Sequence, residues 1–87
     1  MRINVTAEDI EQGLRYSITQ CPVMLAIRRA TGAHLTGGLR GIYDHKGDRP
    51  VAVTPESAFR FMDHFDQGKP VKPFSFELDL TLHPVTE

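Results

Sequence analysis

The side chains of this chain that could do chemistry are few and widely spaced. Its one cysteine, Cys21, directly precedes a proline. Proline suits a first helical position, so a thiolate at Cys21 would sit near helix amide ends, which favour negative charge. A nucleophilic thiol also needs a base within reach. None of the four histidines, His34, His45, His64 and His83, stands in a recognisable pattern with it. The expectation for Cys21 is therefore a small apolar core or cap residue. No two histidines are three or four residues apart, the spacing that sets two metal ligands on one helix face. Asp44, His45 and Asp48 lack the length and the glutamate of a calcium loop. Asp63 and Asp66, one helical turn apart beside His64, read as a solvated face. No nucleophile elbow, phosphate-binding loop or dinucleotide fingerprint is present. The expectation is a protein that is not an enzyme, with no catalytic residue, cofactor or metal.

The cations offer more. Arg28 and Arg29 are adjacent, and Arg40, Lys46 and Arg49 surround Tyr43 in the stretch RGIYDHKGDR. Guanidinium forks beside an aromatic ring suit phosphate, a nucleobase or an acidic protein surface. If these six residues converge, they form a partner-binding surface. If they do not, they are separate solvated charges, with the arginine pair serving a helix dipole. The net charge of −1 argues against a general polyanion binder.

Seven elements would have to position these groups. Ile3 and Val5 alternate with polar neighbours, as in a half-buried strand. Thr6 and Asp9 have the spacing of a capping box for a short helix that Gly13 ends. Leu14 to Gln20 reads as a connection, with room for a helical turn. Pro22 opens a second helix, apolar over much of its circumference, with Arg28 and Arg29 in its last turn and Gly32 as its left-handed stop. Gly37 and Gly38 suggest a flexible entry, or a place where another chain or a ligand comes close. A hairpin is expected over Leu35 to Val53, with strands at Leu39–Tyr43 and Val51–Val53 and DHKGD as the turn. Thr54 caps a third helix with Pro55 at its first position; Ala58, Phe61, Met62 and Phe65 make its apolar face and Gly68 and Pro70 end it. Phe74, Phe76, Leu78, Leu80 and Leu82 alternate strictly with polar residues, the pattern of a long central strand.

This order, β-α-α-β-β-α-β, indicates an α+β fold: a four-stranded, mainly antiparallel sheet with two or three helices packed on one face. At 87 residues the chain holds one domain, expected over 1–82, with 83–87 as a loose tail. Its composition, 40% hydrophobic and 24% charged, is that of a soluble globular domain. No stretch reads as a signal peptide or as the ~18–20 apolar residues of a membrane helix. One cysteine allows no intrachain disulfide and suits a reducing cytoplasm.

Three stretches, INVTAEDIEQG, CPVMLAIRRATG and FRFMDHFDQGKPVKPFSFEL, carry a resemblance. In order along the chain they are similar to small phage- and prophage-encoded proteins with the pattern V-T-x-E-D-I-x-x-G, C-P-x-x-x-A-I-R-R, F-D-x-G-x-x-V-x-P-F-x-F-x-L. The hairpin region matches poorly. The resemblance implies a viral accessory protein working in the bacterial host cytoplasm, brings no catalytic residues with it, and marks Cys21–Pro22 and Pro73–Phe74 as fold-setting. The leading expectation is a non-enzymatic binding protein that inhibits a host protein, such as a CRISPR effector or another defence component, through Arg28, Arg29, Arg40, Tyr43, Lys46 and Arg49. One alternative is a sponge that sequesters a phosphorylated nucleotide signal in a basic pocket. A second is a small DNA-binding regulator, disfavoured because no helix has a basic polar face. A homodimer through the edge strand Val51–Val53 is a further possibility.

Overall fold

Residues 1–37, 41–44 and 50–79 are described by a computed structural model. Their elements are β1 (Arg2–Val5), α1 (Ala7–Gln12), α2 (Pro22–Thr31), β2 (Thr36–Gly37), β3 (Gly41–Tyr43), β4 (Pro50–Val53), α3 (Glu56–Asp66) and β5 (Phe74–Glu77). The fold is α+β with antiparallel pairing throughout. The expected turn DHKGD, apart from Asp44, and the expected strand end at Leu80–Leu82 and tail 83–87 lie outside the described residues, as do Gly38, Leu39 and Arg40.

Local signals account for the helices. Thr6 caps α1: its Oγ1 accepts from the Asp9 amide at 3.2 Å while the Asp9 carboxylate accepts from the Thr6 amide at 2.9 Å. This reciprocal pair satisfies two donors that a helix start leaves open. Pro22 opens α2, and Gly32 ends it at φ 71°. Gly13 stops α1 for a different reason from the one expected. Its φ is −70°, open to any residue, but a Cβ there would lie 2.5 Å from Pro22 Cδ. The glycine permits α1 and α2 to meet. α3 begins one residue late, with Pro55 rather than Thr54 as its N-cap. It ends in a Schellman motif: Lys69 N–H donates to His64 O at 2.9 Å and Gly68 N–H to Phe65 O at 3.0 Å, with Gly68 at φ 79°.

The expected single four-stranded sheet is corrected to two. Among the described residues β1 pairs with β5 alone, in the register Ile3↔Phe76 and Val5↔Phe74, and β2, β3 and β4 form a second sheet in that order. β5 is therefore one half of a two-stranded ribbon rather than a central strand. The extra strand is β2, which the sequence presents as a glycine-rich entry. Gly37 lies so close to α2 that a Cβ would stand 2.6 Å from Met24 Sδ. The outer edge of β2 is also occupied, because the Gly37 amide donates to Ile18 O at 2.8 Å. With β3 held on both sides and β2 closed by that loop, β1 and β5 cannot join the sheet through β2.

α2 packs against β1, α1 and α3, and its Val23, Met24, Ala26 and Ile27 are buried together with Ile3, Val5, Ile42, Ala58, Phe61, Met62, Phe76 and Leu78. An aromatic run binds α3 to β5: Phe61 stacks on Phe65 and Phe74, and Phe74 on Phe76, with ring centroids 6.3, 4.8 and 5.5 Å apart. Each fully buried large side chain contributes about 1.5–3 kcal/mol, and α2 supplies three of them, Val23, Met24 and Ile27.

Candidate functional site

Arg29 is bound within the fold. Its Nη1 and Nη2 grip Asp9 Oδ1 and Oδ2 at 2.7 and 2.9 Å, and Nη2 also donates to Asn4 O at 2.9 Å. One guanidinium thus ties α2 to α1 and β1. The Asp9 carboxylate is 5% exposed and Arg29 is 53% exposed. Burial alone would raise the Asp9 pKa, but the donors from Arg29 and Thr6 outweigh it and hold that carboxyl below its ordinary value. Arg28 is half-buried, and its Nη2 donates to Thr19 O at 3.2 Å. Its Nε is buried and has no partner among the described residues. Tyr43 is half-buried with its ring over Gly41, about contact distance (3.5 Å) from where a Cβ would stand. No hydrogen bond among the described residues joins it to either arginine. Arg40, Lys46 and Arg49 lie outside the described residues. Of the six predicted contact residues, then, Arg28 and Arg29 serve as internal struts and Tyr43 ends the middle strand of the second sheet.

What Arg28 supports is the loop between α1 and α2. There the large apolar residues Leu14, Tyr16 and Ile18 are 54%, 74% and 61% exposed. Ser17 and Thr19 between and beside them are half-buried, and Arg15 is exposed. Ser17 Oγ accepts the Thr19 and Gln20 amides at 3.3 and 2.9 Å, and Arg15 lies beside Gly68, its Nη2 3.2 Å from where a Cβ would stand. The loop's backbone is pinned at its base by Leu14 N–H to Gln20 O, at its centre by Tyr16 N–H to Asp66 Oδ1, and at its far side by Ile18 O, which accepts from Gly37. Tyr16 has φ 58°, the one non-glycine left-handed residue among those described. From the sequence this segment reads as a connection with room for a helical turn. The signal was present: Leu14, Tyr16 and Ile18 alternate with Arg15, Ser17 and Thr19, yet the segment is flanked by two helices and has no strand partner of its own.

Cys21 is buried and caps α2 without a side-chain hydrogen bond. Burial pushes its thiol pKa up, more than the neighbouring Met24 and Val23 amides pull it down. His34 and His64 are exposed, and His45 and His83 lie outside the described residues. Asp66 holds the Tyr16 amide rather than acting with Asp63. Among the described residues no three histidine, cysteine, aspartate or glutamate side chains come together as metal ligands, and no helix is long and apolar enough to cross a membrane. Among the described residues, one open concavity is lined by Met1, Glu77, Leu78 and Asp79 and another by Glu56, Ser57 and Arg60. No protein-family model, no curated protein and no solved structure matches this chain.

Proposed function

We propose that this chain is a phage-encoded, non-enzymatic binding protein that acts in the bacterial host cytoplasm by covering a surface of a host protein, such as a CRISPR effector or another component of bacterial defence. The observation that carries the binding part is the exposed apolar row Leu14, Tyr16 and Ile18 on a loop whose backbone is pinned from three sides. Large apolar side chains left exposed on a fixed loop are candidate contact residues. The viral and cytoplasmic part rests on the three-stretch sequence resemblance. Arg28 and Arg29 contribute by holding the loop and α1 in place.

The test is to mix the purified chain with purified bacterial defence nucleases and follow complex formation by gel filtration alongside nuclease activity. The expected result is a stable complex with loss of cleavage. If no complex and no inhibition arise across such effectors, the defence role is wrong. The nucleotide sponge has less support, because the Arg29 fork is already filled by Asp9. Heat on calorimetric titration with cyclic or linear nucleotides, abolished by Arg28→Glu, would put the sponge first. A labelled duplex shifted at near-physiological salt would do the same for DNA binding.

A further inference from the structure

Among the described residues the outer strand edges belong to β1, β2, β4 and β5, and they are not alike. The edge of β2 takes the Gly37 amide's bond to Ile18 O. That of β4 carries Pro50 and a register shift opposite Ile42 and Tyr43. Both are devices that stop a further strand from adding. The ribbon's hydrogen-bond parity describes the other two. Met1 and Leu78 bond each other in both directions, at 2.7 and 2.8 Å. In the register Arg2↔Glu77, Ile3↔Phe76, Asn4↔Ser75, the first and last pairs therefore turn their amides and carbonyls outward. On β1 the outward Asn4 carbonyl is filled by Arg29 Nη2 at 2.9 Å. On β5 the outward amides and carbonyls of Ser75 and Glu77 have no partner among the described residues. No proline, lysine or bulge guards the stretch from Phe74 to Leu78.

We propose that a second copy of this chain closes this edge: β5 pairs antiparallel with β5 about a two-fold axis at Phe76. The residues on either side choose that register. An axis at Glu77 would set its carboxylate directly against its own copy, and like charges so opposed are destabilising. An axis at Ser75 would bring Pro73, which has no N–H to donate, opposite Glu77. With the axis at Phe76, Ser75 faces the second copy's Glu77 and Glu77 faces its Ser75, so each open amide meets an open carbonyl. On the core side Phe76 faces its copy and Phe74 faces Leu78, and the apolar face runs on across the join. Phe74, and Phe65 two rings along its stack, are only partly buried in one copy, which leaves apolar surface for the second to cover. The occupant is a second copy because FSFEL keeps the same order of apolar and polar residues in both directions, with the carboxylate always opposite the hydroxyl. Such self-complementarity is what a two-fold interface requires.

The test uses the full chain in solution and needs no other protein. Sedimentation from about 10 µM to about 1 mM should show monomer passing to dimer, because one short strand from each copy makes an interface at the small end of the range. Over the same concentrations, amide exchange followed by NMR should slow at Ser75 and Glu77 and stay constant at Val51, Val53 and Tyr16. Charge at position 75 then moves the dimer in opposite directions. Ser75→Glu opposes like charges at both symmetric pairs and should weaken the dimer roughly 3–30-fold; Ser75→Lys, set against Glu77, should strengthen it by a similar factor. Both variants lose the same bond to Asn4, so damage to the fold would act on them in one direction, and thermal melting at low concentration checks that each is folded. If a variant does not fold, exchange in the parent still decides. A monomer mass at every concentration overturns the inference. So does a dimer whose slowed amides lie in β4 or between α1 and α2, and so do substitutions at position 75 that act alike. The host-binding reading stands apart from all of these outcomes.

Discussion

With Asp9 replaced, the Thr6 amide and two guanidinium donors of Arg29 lose their acceptor at once. Removing one partner of a mostly buried pair is more costly than never having built it, and a capping contact goes with it. Because Arg29 is half-exposed and water can rehydrate it, Asp9→Ala should cost about 2–3 kcal/mol, read as a lower urea midpoint. The pH dependence follows in sign. The folded carboxyl gives up its proton more readily than the unfolded one. Its contribution is therefore complete above the ordinary aspartate range near ~3.9 and lost as pH falls through and below it. Urea midpoints of the parent should drop over that window, and those of Asp9→Asn should drop less steeply. Cys21 moves the other way. Its raised thiol pKa means the folded state holds the proton more tightly, so its contribution is present at neutral pH and lost at alkaline pH. A disulfide reagent at pH 8 should label Cys21 only after denaturant is added; labelling of the native protein at the rate of a free thiol would contradict its burial. At this scale the sequence is legible where partners are near. Thr6 and Asp9 are three residues apart and their bond is readable, whereas Arg29 finds Asp9 across twenty residues and looks from the sequence like a charge serving only its own helix.

The elements were readable where each carries its own signal. The proline start and glycine stop of α2 and the apolar spacing of α3 are properties of single segments, and the structure keeps them. β2 carries no such signal. Two residues, one a glycine, become a strand because β3 offers a ladder on one side and Met24 leaves no room for a Cβ on the other. Leu14 to Gln20 reads as a connection because an alternation over so few residues between two helices carries no sign of which side meets the core. Glycine roles separate in the same way, and substitution tells them apart. Gly13→Ala forces a Cβ into the Pro22 ring, which is fixed to the backbone at the start of α2. Gly68→Ala meets only the far end of Arg15 but must hold φ 79°. Gly13→Ala should therefore cost about 1–3 kcal/mol through overpacking and displace α1 from α2, while Gly68→Ala should cost about 1–2 kcal/mol through its backbone alone. Amide exchange distinguishes them: the first should speed exchange in α1, the second at the C-terminal end of α3.

Across the whole molecule, alternation reveals which face of a strand is buried and is silent about which strand lies beside it. Phe74, Phe76 and Leu78 did alternate as read, yet their neighbour is the first strand of the chain, brought in from the opposite end. Asn4 and Ser75, hydrogen-bonded at 2.6 Å, are 71 residues apart. That closure has a kinetic consequence. Pairing β1 with β5 carries the loop entropy of nearly the whole described chain before its contacts form, whereas α1 and α2 meet across one short loop. Ile3 and Ile27 are both fully buried, so Ile3→Ala and Ile27→Ala should each cost about 2–5 kcal/mol at equilibrium. They should differ in how that loss divides between rates. Ile3 belongs to the ribbon that closes last, so its truncation should speed unfolding and leave the folding rate nearly unchanged. Ile27 belongs to the helix around which the other elements gather, so its truncation should also slow folding. Stopped-flow measurements across a urea series give both arms for each variant. A folding rate that falls as far for Ile3→Ala as for Ile27→Ala would mean that the chain ends already meet in the transition state, with the β1–β5 ribbon as part of the nucleus rather than its final seal.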